Sequence, residues 1–119
     1  MTITLDMFRD SNDVETYDAG QLIFDEGDFG DSMYVVLEGE VEIVLRDEVI
    51  NTLSPGEIFG EMALVDNRPR SAAARAKLPT KLIPVNRFSF TYYVQNSPFF
   101  ALEVMEIMAE RLRQHMDRS

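Results

Sequence analysis

Residues 58–76 read Ile-Phe-Gly-Glu-Met-Ala-Leu-Val-Asp-Asn-Arg-Pro-Arg-Ser-Ala-Ala-Ala-Arg-Ala. Two apolar residues, Ile58 and Phe59, precede a Gly-Glu pair and one short predicted helical turn. A polar loop then leads to an arginine followed by very small side chains. The acid Glu61 and the cation Arg70 suit a ligand with hydroxyl groups and a negative charge, and small neighbours let backbone N–H groups approach that charge. The stretch therefore predicts an anion-binding site.

The composition restricts the possible chemistry. The 119 residues fit one domain. The absence of cysteine excludes disulfides and thiol chemistry, and a single histidine, His115, argues against a catalytic triad or a multi-histidine metal centre. No apolar run reaches the roughly 18 residues of a membrane span, and the N-terminus lacks the features of a signal peptide. We expect no membrane insertion and a cytoplasmic location.

The charge is high and unevenly distributed. A net charge of −10 argues against direct nucleic-acid binding, because neutralisation of phosphates supplies most of that affinity. Residues 1–66 contain 17 acids and 2 bases, whereas residues 67–119 contain 4 acids and 9 bases. Two compatible interpretations follow: a solvated acidic face, and an anion site in the basic part.

Short apolar segments separated by tight turns dominate the chain before residue 87. Gly, Asp and Pro mark the turns, which recur about every ten residues. This pattern is typical of a jelly roll and not of a parallel α/β sheet. The predicted strands are residues 14–17, 21–24, 33–37, 41–45, 49–53, 71–77 and 80–85.

Helical signals follow the predicted strands. Asn86 is a predicted N-cap for a helix over residues 87–95, and Ser97-Pro98 predicts the start of a second helix that runs to about residue 117. The predicted fold is mainly β: a jelly-roll barrel over about 14–86, then two α-helices over about 87–117. Residues 1–119 are expected to form one domain.

The order of these motifs resembles the cyclic-nucleotide-binding domain shared by the catabolite activator protein, protein kinase A regulatory subunits and cyclic-nucleotide-gated channels. The resemblance covers about residues 17–112. Its motifs are the Gly-Asp-Phe-Gly-Asp-Ser-Met-Tyr segment at 27–34, Gly39, the Pro-Gly-Glu-Ile-Phe-Gly-Glu-Met-Ala-Leu segment at 55–64, and Pro-Arg-Ser-Ala at 69–72.

The resemblance implies a role for each matching position. Glu61 should accept a hydrogen bond from the ribose 2′-hydroxyl, and Arg70 should pair with the cyclic phosphate through its planar fork. The backbone N–H groups at the start of the short helix should also meet the phosphate. The implied ligand residues are Gly60, Glu61, Met62, Ala63, Arg70, Ser71 and Ala72.

The resemblance also implies a ligand and a class of function. Ser71 follows the arginine where threonine often accompanies cGMP recognition, and serine there is similar to the bacterial activators, so cAMP is expected before cGMP. The chain is expected to be a non-enzymatic sensor without cofactor or metal, which signals to a regulated effector through movement of its last helix.

Other residues receive weaker assignments. Arg111, Arg113 and His115 are candidates for capping the base, and Arg68 and Arg75 are interpreted as surface charges. Three glycines are assigned to turns and to no ligand contact: Gly27, Gly30 and Gly39.

Two hypotheses from other classes compete with the sensor. One is a structural or dimerisation domain that keeps the fold without binding nucleotide, and its last helix would pair with a second copy. The predicted seam is Ala101, Met105, Met108 and Leu112. The other is a cupin-like metalloenzyme, which is rejected because one histidine cannot build its metal site.

Overall fold

The computed structural model describes residues 2–117, so residues 1 and 118–119 of the predicted domain lie outside the described part. Within residues 2–117, eight strands are followed by two α-helices. The strands are β1 Glu15–Tyr17, β2 Leu22–Phe24, β3 Ser32–Glu38, β4 Val41–Leu45, β5 Glu48–Leu53, β6 Ile58–Phe59, β7 Ala73–Ala76 and β8 Thr80–Asn86. The helices are α1 Arg87–Asn96 and α2 Phe99–Asp117, with short 3₁₀ helices at Asp6–Phe8 and Glu61–Leu64.

The strands form two four-stranded antiparallel sheets. One sheet has the order β1-β8-β3-β6 and the other has the order β2-β7-β4-β5. Strands distant in sequence therefore lie side by side, as in a jelly roll. The predicted mainly-β jelly roll with two C-terminal helices is confirmed.

The strand β7 is shorter than predicted. It begins at Ala73, so Ser71 and Ala72 lie in the bend before the strand and outside its ladder. A run of small residues has little intrinsic preference for a strand, and pairing with β4 begins only where Ala73 meets Val44. Two predicted ligand residues are thereby freed from sheet hydrogen bonding.

The sheet that contains β3 is buried on both faces, which explains why β3 is apolar along its length. Val36 packs between the two sheets with the buried side chains of β4, β5, β6, β7 and β8. Met33 and Val35 pack on the other side against α2 and the first 3₁₀ helix. A strand covered on both faces reads as a continuous apolar run.

The sequence only partly predicted how the two helices begin and which side chains they bury. The Asn86 side chain accepts a hydrogen bond from the Ser89 N–H (2.8 Å), which confirms the predicted N-cap of α1. The α2 helix begins one residue later than predicted. Its buried side chains are Phe100, Val104 and Ile107, and they pack in one cluster with the ring of Phe8 from the first 3₁₀ helix.

The four residues of the predicted seam of α2 differ in exposure in the structure. Met105 and Leu112 are more than half exposed, whereas Ala101 and Met108 are half-buried. Both faces of this helix carry apolar residues, so spacing alone could not indicate which face the barrel would cover. No described helix is long and apolar enough to cross a bilayer.

Candidate functional site

All seven predicted ligand residues line one cavity of about 540 Å³. This volume lies within the range of small-molecule sites. Besides Gly60 to Ala63 and Arg70 to Ala72, the wall includes Arg68, Arg111 and a set of apolar side chains. The apolar set is Phe24, Ile43, Ile50, Leu53 and Phe59.

Arg70 is held by backbone carbonyls at the start of β3 and before the Glu61–Leu64 helix. Its Nη2 donates to the Ser32 carbonyl oxygen (2.7 Å) and its Nη1 to the Gly60 carbonyl oxygen (3.2 Å). The guanidinium lies 4.3 Å from the centre of the Phe24 ring, a cation–π contact. Its conformation is therefore set before any ligand arrives.

The Arg70 Nε atom is buried and has no hydrogen-bond partner among the residues that the structure describes. A buried N–H without an acceptor is costly, and charged donors cost more than neutral ones. Arg70 lines the cavity, so an anion bound there would lie beside a guanidinium whose donors the described residues do not fully satisfy. This unsatisfied donor is the strongest chemical signal in the cavity.

Two glycines give the Arg70 guanidinium its space. A Cβ atom on Gly30 would lie 2.6 Å from Nη2, and one on Gly60 would lie 2.9 Å from Nη1. Gly60 also has a φ of 74°, which favours glycine. The loop before β3 is tied to Arg70 by main-chain bonds as well, because the Arg70 N–H donates to the Asp28 carbonyl oxygen (2.7 Å). Sequence reasoning assigned Gly30 only to a turn.

The short Glu61–Leu64 helix presents backbone donors to the cavity. Its first hydrogen bond runs from the Ala63 N–H to the Gly60 carbonyl oxygen (3.2 Å). The N–H groups of Glu61 and Met62 precede that bond and therefore have no acceptor within the helix. Of the three predicted backbone donors, the Ala63 N–H is the least available to a ligand, because it already donates to the Gly60 carbonyl oxygen.

Glu61 is paired with an arginine from α2. The Arg111 Nη1 atom lies 2.6 Å from Glu61 Oε1, and its Nη2 donates to the Ile58 carbonyl oxygen. The Glu61 side chain is only 14% exposed and that of Arg111 is 32% exposed. Fifty residues separate the two partners. Spacing cannot predict such a contact, because it depends on how α2 docks.

The other arginines assigned from the sequence differ in whether they line the cavity. Arg68 lines the cavity with an exposed side chain, while Arg75 of β7 pairs with Glu42 of β4 (3.1 Å). Among the three candidates for capping the base, Arg111 alone lines this cavity. Arg113 is instead paired with Glu110 within α2 (2.9 Å).

Apolar and aromatic side chains line the rest of the cavity, and one of them, Phe24, also contacts Arg70. Tyr34 and Phe59 are stacked with ring centres 5.2 Å apart, and Phe24 lies 5.9 Å from Phe59. Burial raises the pKa of Tyr34, which lies behind Phe59, above its ordinary value. Within residues 2–117, no cluster of three or more His, Asp or Glu side chains is arranged to hold a metal ion. The cavity combines a cationic end at Arg70, the acidic residues Glu61 and Asp66, and an apolar wall.

Comparison with known proteins agrees with this geometry. A family model described as the cyclic nucleotide-binding domain matches residues 14–97. The cyclic AMP receptor protein of Thermus thermophilus is 34% identical over 103 residues, which cover 82% of this chain and 48% of that protein. The chain therefore belongs to the cyclic nucleotide-binding domain family, and the resemblance seen in the sequence is confirmed.

Two further similar proteins agree with this family membership. The crystal structure of the Thermus thermophilus catabolite activator protein matches with a TM-score of 0.78 at 32% identity, over 88% of this chain and 52% of that chain. The cAMP-dependent protein kinase regulatory subunit of Emericella nidulans is 37% identical over 83 residues, which cover 68% of this chain and 20% of that protein. The chain spans less than half the length of these two curated relatives.

Proposed function

We propose that this chain is a sensor module that binds a 3′,5′-cyclic nucleotide and prefers cAMP to cGMP. The observation that carries the proposal is a cavity lined by both Glu61 and Arg70, whose guanidinium has a buried Nε without an acceptor among the described residues. A cyclic nucleotide offers one anionic phosphate and one free ribose hydroxyl. These two groups match the cation and the carboxylate.

The phosphate is proposed to lie between Arg70 and the start of the Glu61–Leu64 helix. Arg70 Nε has no acceptor among the described residues, and the N–H groups of Glu61 and Met62 have none within their helix. Ser71 and Ala72 lie outside β7 and add a hydroxyl group and a further N–H. Hydrogen bonds to charged groups each contribute roughly 1.5–3 kcal/mol.

The ribose and base are proposed to extend from the phosphate along the cavity. Glu61 accepts the 2′-hydroxyl, and the planar base lies against the apolar wall that includes Phe24, Ile43 and Leu53. A mostly apolar lining with a few convergent polar groups is usual for such ligands. The preference for cAMP draws on Ser71 and on the relatives named for cyclic AMP.

The module is proposed to be non-catalytic and cytoplasmic, with residues 1–119 forming one unit. Its output is a shift of α2 relative to the barrel, because Arg111 joins that helix to the cavity. The size of any such shift is limited by the difference in ligand affinity between the two helix positions.

Titration calorimetry with cAMP and cGMP tests the proposal. We expect saturable binding of both nucleotides, with the tighter dissociation constant for cAMP. The absence of heat for either nucleotide at high micromolar concentration, with a folded protein, would overturn the proposal. Tighter binding of cGMP would overturn the proposed preference alone.

A second candidate function is dimerisation through α2 without nucleotide. The observation that favours it is an exposed row on the outer face of α2, formed by Leu102, Met105, Ala109 and Leu112. Their spacing of three and four residues is that of a coiled-coil seam. Sedimentation equilibrium of the wild type and of Met105→Glu distinguishes the two functions. A dimer that Met105→Glu dissociates, in a protein that binds neither nucleotide, would favour this second function.

A further inference from the structure

The first described residues of the chain lie between the barrel and α2. Residues 2–8, here called the N-terminal strap, include the short 3₁₀ helix Asp6–Phe8. The Ile3 N–H of the strap donates to the Gly56 carbonyl oxygen (2.8 Å) in the turn between β5 and β6. A Cβ atom on Gly56 would lie 2.9 Å from the Thr2 Cβ, so the turn and the strap are in close contact. The strap is therefore attached to the barrel at its beginning.

The strap is also hydrogen-bonded to α2. The Glu103 carboxylate accepts one bond from the Thr4 backbone N–H (3.0 Å) and another from the Thr4 hydroxyl (2.9 Å). Both bonds end on the same oxygen, Oε2. Hydrogen bonds to an ionised acceptor are stronger than those between neutral groups. One side chain of α2 thus holds a main-chain donor and a side-chain donor of the strap.

Apolar side chains on both sides of this contact are buried with the same helix. Ile3 is 4% exposed and Phe8 is fully buried. Both belong to the core cluster that contains Phe100, Val104 and Ile107 of α2. The ring centres of Phe8 and Phe100 lie 5.5 Å apart. The strap therefore holds α2 near its N-terminal end.

The second half of α2, residues 108–117, is supported differently. Its side chains from 108 to 116 are half-buried or exposed, and those of residues 112–116 are all exposed. Arg111 links this half to the barrel, through Glu61 and the Ile58 carbonyl oxygen. The hydrogen bonds and the ring contact that come from the strap reach residues of the first half instead. The two halves of one helix are thus held by different parts of the chain.

We propose that the N-terminal strap fixes the first half of α2, residues 99–107, on the barrel, so that movement of the helix is confined to its second half. The helix then bends near Ile107 and does not swing as a whole from the Ser97-Pro98 break. This inference goes beyond nucleotide binding and does not require it. In the proposed sensor, the moving half would be the one that carries Arg111.

Amide hydrogen exchange, followed by NMR without nucleotide, tests the inference. The loss of a native contact speeds exchange only through openings that break that contact. In Glu103→Ala, we expect the exchange rates of residues 102–107 to rise about ten-fold, as for the loss of one hydrogen bond to a charged group. The rates of residues 110–116 should change less than about two-fold, because their opening leaves the strap in place. Alanine is a better helix former than glutamate, so helix propensity would not explain a rise.

The matched control is Glu106→Ala. Glu106 is an exposed glutamate of the same half of α2, and its removal changes the charge of the helix by the same amount. We expect wild-type exchange rates in both halves of this variant. Thr4→Val removes the hydroxyl bond to Glu103 and keeps the backbone bond, so a smaller rise of about three-fold is expected, again in residues 102–107 alone.

Each outcome decides the inference. An equal rise in both halves in Glu103→Ala would overturn it, because α2 would then open as one unit. No rise in residues 102–107, or an equal rise in Glu106→Ala, would also overturn it, since the bonds from the strap would not be what holds the helix. If Glu103→Ala does not fold, as judged by circular dichroism, Thr4→Val decides: unchanged exchange in residues 102–107 overturns the inference. Because no nucleotide is present, a failure of the proposed function would not alter these results.

Discussion

The two ends of the cavity are built in different ways. At the cationic end, Arg70 is held by the carbonyl groups of Ser32 and Gly60 and by the Phe24 ring, all of which belong to the barrel. At the carboxylate end, Glu61 is held by Arg111, which belongs to the last helix. One end is therefore complete within the barrel, while the other requires the helix.

In the proposed sensor, this difference would give the two ends separate roles. In that proposal, the barrel end captures the anion with residues that do not belong to α2, whereas the helix end depends on Arg111 of α2. A ligand that binds both ends thereby favours the docked helix, by an amount equal to its extra affinity for that state. Single substitutions can test the two ends separately.

The largest expected effect is at the cationic end. Arg70→Leu should weaken cAMP binding by roughly 2–5 kcal/mol, as when one member of a buried charged pair is truncated. Calorimetry with cAMP measures it, and Arg75→Leu is the control, because Arg75 pairs with Glu42 outside the cavity. Unchanged affinity in a folded Arg70→Leu protein would show that the phosphate is held elsewhere.

A smaller effect is expected at the carboxylate end. Glu61→Gln should weaken cAMP binding by about 1.5–3 kcal/mol, because the 2′-hydroxyl loses its ionised acceptor and the neutral amide no longer forms the ion pair with Arg111, and should affect 2′-deoxy-cAMP much less. Glu110→Gln provides the control, since it removes a carboxylate from the Arg113 ion pair outside the cavity. Equal weakening of both ligands would contradict a ribose contact at Glu61.

The smallest effect concerns the space around Arg70. Gly30→Ala should weaken cAMP binding about ten-fold, or ~1.4 kcal/mol, because the added Cβ displaces the guanidinium. Unlike Glu61→Gln, it should weaken cAMP and 2′-deoxy-cAMP equally, since the phosphate is common to both. Calorimetry with the two ligands measures this ratio.

Gly20→Ala is the control that distinguishes a loss of ligand affinity from a loss of stability in that experiment. Gly20 has a φ of 85°, and a Cβ atom there would meet no heavy atom within 4 Å, so alanine strains the backbone without touching Arg70. We expect thermal unfolding at a lower temperature and unchanged affinity. A Gly30→Ala protein that behaves like Gly20→Ala would show that Gly30 serves the loop alone.

Local patterns predicted most of the elements. The Asn86 cap, the Pro55-Gly56 turn and the apolar β3 segment each depend on residues close in sequence, and each is present in the structure. The boundaries of β7 and α2 were less accurate. Strand ends depend on where a neighbouring strand begins to pair, which is information from a distant part of the chain.

The face of α2 that packs on the barrel was the least predictable feature of the fold. Phe100, Val104 and Ile107 are buried while Met105 and Leu112 are exposed, although all five are apolar. Helical spacing describes which side chains share a face. It does not say which of two apolar faces meets the core.

By itself, the sequence determined the jelly-roll class, the family and the seven candidate ligand residues, because turn chemistry, strand patterning and the order of the motifs are local properties of the chain. Only the tertiary structure decided how those residues are supported. Gly30 makes room for Arg70, and Arg111 pairs with Glu61 from fifty residues away. These contacts form only when a loop and a helix pack onto the barrel. The spacing of residues along the chain does not indicate that packing.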